Sequence, residues 1–176
     1  MRQILISAAT LLALSVSACA DDNQAQVQAF SPDEIRADAS VLEGRQYIST
    51  GQPDQKLLEL AKEAGYRAVI DLRTPAEDRG IDEAAAVESL GMHYVSFPVA
   101  GSTDINLEKA AAFDRLLGQT EGPVLLHCRS GNRVGAMLAL DASRKGASEE
   151  DALKIGKEAG LTSLESSVKT AIAKAP

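Results

Sequence analysis

One stretch of this 176-residue chain concentrates its reactive chemistry: Pro123-Val124-Leu125-Leu126 runs straight into His127-Cys128-Arg129-Ser130-Gly131-Asn132-Arg133. The apolar residues read as a buried strand, and a helix is expected from Val134. A cysteine at a strand end, followed by a glycine-containing turn into a helix N-terminus, meets inward-pointing N–H groups and the positive end of the helix dipole. That field stabilises a thiolate, drawing a thiol down from its reference pKa of about 8.5. Gly131 lets the backbone turn and approach an oxyanion closely. Arg133 offers a two-pronged guanidinium to an anion held above Cys128. Nucleophile plus oxyanion cradle is an arrangement for covalent catalysis, with Arg129, Ser130, Gly131 and Asn132 as the anion-binding loop. The bland alternative, a strand end followed by a surface ion pair, does not explain why these residue types fall together. Metal chemistry is not expected, because His93 and His127 are the only imidazoles and a zinc site wants about four ligands. No cofactor is expected either.

The rest of the composition narrows the setting. Met1-Arg2 and the uncharged run from Ile4 to Val16, followed by small residues and Asp21-Asp22, have the order of a secretory signal and are too short for a stable membrane span. Val16-Ser17-Ala18-Cys19 reads as a bacterial lipobox, in which Cys19 becomes the lipidated N-terminus; ordinary cleavage within Ala18-Cys19-Ala20 is the alternative. Both export the protein, and the expected location is periplasmic, with a lipid anchor as the only membrane contact. With Cys19 lipidated, Cys128 is the only thiol left, whereas exported proteins normally use cysteines in disulfide pairs. Residues 20–40 are polar and acidic and read as a linker between the signal (1–19) and a domain over 41–176. A formal charge of -7 and 3% aromatic residues argue against nucleic acid as a partner.

The elements that must hold the loop follow from pattern. Gln46-Tyr47-Ile48 is a short strand leading into Ser49-Thr50-Gly51-Gln52-Pro53. Asp54 caps a helix that runs through Ala64 and stops at Gly65. Tyr66 to Leu72 is a buried, β-rich run, Asp82 caps a helix ending at Gly91, and His93 to Val99 alternates until Pro98 breaks it. Another helix is expected over Leu107–Leu117, closed by Gly118. Beyond Val134 no strand signal returns; Ser148 with Asp151 and Thr162 with Glu165 read as capping boxes of two more helices. Strands alternating with helices give an α/β domain with a mainly parallel central sheet flanked by helices and a helical C-terminal tail.

His127-Cys128, Gly131 and Arg133 resemble the signature loop of cysteine-dependent protein tyrosine and dual-specificity phosphatases, although four residues separate Cys from Arg where those enzymes have five. Cys128-Arg129-Ser130-Gly131-Asn132-Arg133 also resembles the active loop of rhodanese sulfurtransferases, as does Ile70-Asp71-Leu72-Arg73 with Glu77 four residues on. A cysteine loop on the last strand, followed only by helices, is the phosphatase order. The chain is most similar to the bacterial beta-lactamase hydrolase-like, phosphatase-like domain family, on Ile48-Ser49-Thr50-Gly51-Gln52-Pro53, Val69-Ile70-Asp71-Leu72-Arg73, Tyr94, Pro98-Val99 and the cysteine loop. This covers about Tyr47 to Leu140.

The resemblance implies a hydrolase of phosphate monoesters working through a cysteinyl-phosphate, and the signal segment makes it an exported one. A phosphatase also needs a general acid, and Asp104, on the loop after Pro98-Val99, is the candidate; capping of the next helix by Asp104 or Asn106 is the alternative. His127 is implied to orient the loop, and Asp71 and Arg73 to brace the sheet end. Two departures keep other readings open. The short ring and Val134, where phosphatases often have a hydroxyl residue after the arginine, suit a sulfurtransferase cycling through a persulfide with a sulfur donor. A loop that no longer turns over would leave a module binding an anion or a partner.

Overall fold

The computed structural model describes residues 40–42 and 45–174; the signal segment and Cys19 lie outside them. Five strands form one sheet in the order β1-β2-β5-β3-β4: β1 (Ser40–Leu42), β2 (Arg45–Thr50), β3 (Ala68–Asp71), β4 (His93–Ser96) and β5 (Val124–His127). β1 pairs antiparallel with β2, and every other pairing is parallel. Among the described residues β1 begins at Ser40, next to the boundary expected between linker and domain. The order places β5 in the middle, between β2 and β3, so the strand that ends at the nucleophile has neighbours on both edges. Its four residues are all buried, as a central parallel strand covered on both faces requires.

The strands alternate between two cores. Val69, Leu125 and partly Ile48 face α1 (Gln55–Glu63) and α2 (Glu83–Ser89), packing against Leu58, Ala61 and Val87. Ile70, Leu72, Val124 and Leu126 face the larger core, shared with α3 (Leu107–Gln119), α4 (Asn132–Arg144), α5 (Glu149–Glu158) and α6 (Glu165–Ala173). Cys128 belongs to this larger core.

Most element ends obey the expected caps. Asp54 accepts from Leu57 N–H, Asp82 from Ala85 N–H and Ser148 from Asp151 N–H. Asn106, not Asp104, caps α3. Several boundaries differ from the sequence reading. The run from Tyr66 pairs as a strand only from Ala68. Gly118 does not stop α3, which runs on to Gln119. No capping box forms at Thr162: the cap position of α6 is Leu164, without a side-chain bond. The Thr162 N–H instead donates to the Asn132 side chain, a tertiary partner that outcompetes a local cap.

Candidate active site

β5 delivers Cys128 to the carboxyl end of the sheet, where its side chain is 1% exposed. The chain then turns through Gly131 at φ 81°, the left-handed conformation glycine adopts without penalty, and α4 begins at Asn132, two residues before the expected start. Arg133 thus stands in the first turn of α4 and reaches back across the loop. Its two terminal nitrogens donate to the two carboxylate oxygens of Glu77 at 2.6 and 2.7 Å, and one also reaches the carbonyls of Leu72 (3.4 Å) and Val99 (3.2 Å). These are the exits from β3 and β4, so one guanidinium ties three strand ends together. The Glu77 bonds hold Arg133 more firmly protonated than a free arginine, against its burial, and the nearby Cys128 side chain adds to the effect. In return Arg133 pushes the Glu77 carboxyl down to about 2, helped by the Thr74 N–H.

The rest of the loop is braced by neighbours. Gly51 bridges to Ser130, and the Gln52 N–H donates to the Arg129 carbonyl at 3.3 Å, so the turn after β2 runs alongside the cysteine loop. A Cβ on Gly51 would sit 3.2 Å from that carbonyl oxygen. The Gln52 side chain donates to Arg79 O at 2.7 Å, joining this turn to the loop that carries Glu77. Arg129 and Ser130 are exposed at the mouth, where Gln52, Ala76, Glu77, Asp78 and Arg129 line a depression of about 390 Å³. The Asn132 side chain faces away from the loop, accepting from the N–H of Thr162 and Leu164 and donating to Ser163 Oγ. It locks the start of α4 to the turn before α6.

Behind the loop, on the opposite face of the sheet, lies a buried charged cluster. Asp71, Arg73, Glu83 and His127 are each 0% exposed. Arg73 donates to both oxygens of Asp71 at 2.9 and 3.0 Å and also to Glu83 Oε2. Tyr94 Oη (2.9 Å) and Arg79 Nε (3.2 Å) reach Asp71 Oδ2. Burial pushes the Asp71 carboxyl up, but the Arg73 bonds, the His127 charge and the Tyr94 hydroxyl outweigh it, and the net direction is down. His127 lies in register with Asp71 on the neighbouring strand. Asp71 and Arg73 thus sit at the sheet end beneath the loop.

Asp104 occupies a short 3-10 turn (Gly101–Asp104). Its carboxylate accepts from the Ala100 N–H at 2.8 Å and lies 3.7 Å from the Lys109 ammonium. Val134 is fully buried in the larger core. Two contributors were not assigned a role from sequence. Glu77 was noted only as part of a spacing pattern, and Glu83 was hidden in a first helical turn, where an acid is expected for the dipole alone.

The geometry has recognisable relatives. The chain is 37% identical over 107 residues to the beta-lactamase hydrolase-like protein of Xylella fastidiosa, covering 58% of this chain and 24% of that protein. The protein of the same description from Agrobacterium fabrum is 31% identical over 86 residues, covering 47% and 20%. The chain therefore spans about a quarter, or less, of these curated relatives. Among solved structures, a candidate phosphatase from Neisseria meningitidis superposes with a TM-score of 0.64 at 22% identity, over 77% of this chain and 98% of that one. P. aeruginosa TpbA, solved in complex with pTyr, gives 0.55 at 17% identity, over 84% and 88%. These show the protein tyrosine and dual-specificity phosphatase-like fold. The model of the beta-lactamase hydrolase-like protein, phosphatase-like domain matches residues 46–145, more than half of the chain, and the chain belongs to that family.

Proposed function

We propose that the chain is a cysteine-dependent phosphatase-like hydrolase of phosphate monoesters. The observation that carries this reading is Cys128 at the carboxyl end of a central strand, with Arg133 in the first turn of the following helix and within reach of its sulfur. The Cys128 sulfur attacks phosphorus, a sulfur–phosphorus bond forms, and the bond to the leaving oxygen breaks. Arg133 and the loop N–H groups stabilise the charge on the remaining oxygens. Water then attacks phosphorus, releasing phosphate and restoring the thiol. The leaving oxygen needs a proton. Asp104 supplies it in this reading by leaving its contacts with Ala100 and Lys109, and solvent supplies it otherwise. Export and a lipid anchor at Cys19 belong to the same proposal, supported by the residue order of the first twenty positions. A phosphorylated substrate is then the partner, met outside the cytoplasm.

Sulfur transfer is the second reading. It is favoured by the four-residue ring from Cys128 to Arg133, which holds fewer inward N–H groups than a phosphoryl group wants, and by Val134. A persulfide on Cys128 needs neither the extra donors nor an acid. The test uses the protein from Asp22 onward, with an aryl phosphate in one assay and thiosulfate plus cyanide in another. Cys128→Ser is the control, expected to lower the relevant rate by about a thousandfold or more. Phosphate release lost in the variant supports the hydrolase; thiocyanate formation lost in the variant supports sulfur transfer. If neither substrate turns over, the loop is a binding site and both readings fall.

A further inference from the structure

The buried cluster behind the loop contains one contact that its own charge balance does not require. Arg73, Arg79 and Tyr94 each donate to Asp71, and Arg73 also serves Glu83 Oε2. Glu83 Oε1 is left facing a single group, His127 Nε2, at 2.6 Å. The approach lies off the line of a hydrogen bond; among the described residues neither atom has another hydrogen-bond partner, and the other carboxylate near Nε2 is Asp71 Oδ1 at 3.9 Å. At the far side of the same ring, Nδ1 lies 3.4 Å from the carbonyl oxygen of Cys128. The imidazole therefore spans from a carboxylate on α2 to the peptide of the nucleophile itself. Asp71, Glu83 and His127 offer atoms within 4.8 Å of one another, which raises the question of a cation. A separation of 2.6 Å is too short for two ligands of one ion. With metal–ligand bonds of about 2.1 Å, such ligands stand roughly 3 Å or more apart. The Arg73 guanidinium already supplies the positive charge there.

We propose that Glu83 is a positioning residue for Cys128, acting through His127. Its Oε1 accepts from a protonated Nε2 and fixes the ring plane, and Nδ1–H of the same ring donates to the Cys128 carbonyl oxygen, fixing the peptide from which the loop departs. A buried carboxylate oxygen facing only one donor is costly to leave unmet, so the ring has one favoured orientation. The inference rests on the Cys128 chemistry proposed above, but not on which substrate is used. The charged and titratable groups around His127 are Asp71 and Arg73 at the end of β3 and Glu83 from α2, with Arg79 and Tyr94 reached through Asp71.

The test is Glu83→Gln, which keeps the shape and removes the charge. The rate of Cys128 alkylation by iodoacetamide is followed from pH 5 to 9, beside kcat and KM on the substrate that the native protein accepts and thermal unfolding. The expected result is about a tenfold loss of alkylation rate at neutral pH, a displaced pH profile, and a fall in kcat with KM little changed, as for other partners that orient a functional imidazole. Native alkylation rates across the whole range, with only a lower melting temperature, overturn the proposal. Should the variant not fold, nitrogen NMR of the native protein decides. It has only His93 and His127 to distinguish, and a His127 ring protonated on a single nitrogen overturns the assignment, while protons on both nitrogens support it. Altered alkylation in a protein that turns over neither phosphate nor thiosulfate leaves Glu83 in its role and removes the enzymatic reading instead.

Discussion

Arg133 is held by a carboxylate before any anion arrives. Glu77 accepts from both terminal nitrogens, so in the proposed reaction the anion is met by the donors that Glu77 leaves free. Fixing the fork in advance reduces the ordering needed on binding. Glu77→Gln is expected to lower kcat/KM about 10- to 100-fold while Cys128 stays alkylatable, measured by steady-state kinetics and labelling. The same pair contributes to stability with a defined sign. The Glu77 carboxyl titrates at about 2 when folded against an ordinary 4.5, so its contribution is complete above about 4.5 and is lost as pH falls toward 2. With a quarter of the Glu77 side chain in solvent, the contribution is discounted to about 1–2 kcal/mol. Urea unfolding at pH 7 and pH 3 checks it: the native protein weakens between them by more than Glu77→Gln does.

Among the elements, α4 carries the most. Its first turn supplies Arg133 and the dipole, Asn132 ties it to the turn before α6, and every residue from Val134 to Ala142 is buried. It lies so close to α5 that the glycines at their crossing have no room for a side chain. A Cβ on Gly135 would collide with the Gly156 carbonyl and the Leu161 N–H, and one on Gly156 would lie 2.8 Å from the Gly135 carbonyl. These neighbours are backbone and cannot rotate away. Gly135→Ala is expected to cost about 2–4 kcal/mol despite alanine's better helix propensity, read as a lower urea midpoint with an unchanged m-value. Gly118→Ala, whose added Cβ meets nothing within 4 Å, is the control.

At the scale of the molecule the sheet divides two tasks. One face holds the charged cluster over the smaller core of α1 and α2; the other sends Cys128 into the larger core beneath α4. The two C-terminal helices and the turn between them belong to that larger core through Leu153, Leu161, Val168 and Ala171. Ending the chain after Arg144 uncovers the outer face of α4. Removing four such side chains takes away about 6 kcal/mol or more of apolar burial, comparable with the whole stability of a domain this size. The truncated chain is expected to lose its cooperative thermal transition and to bind a hydrophobic dye.

The sequence by itself determined the fold class, the strand that ends at Cys128, the turn at Gly131 and the helix behind it, because these depend on local period, caps and glycine. Asp71 and His127 are the last residues of β3 and β5, and Arg73 follows two residues after β3, so their place at the sheet end is set by strand lengths that the sequence pattern carries. What only the tertiary structure decided are partnerships across sequence distance. Glu77 meets Arg133 over 56 positions, Asn132 takes the Thr162 N–H over 30, and Glu83 on α2 faces His127 at the end of β5. A carboxylate or an amide has the same local signature whether it caps its own helix or crosses the molecule. Which it does depends on the distances that packing creates, and those are set by the order β1-β2-β5-β3-β4, a property no single segment encodes.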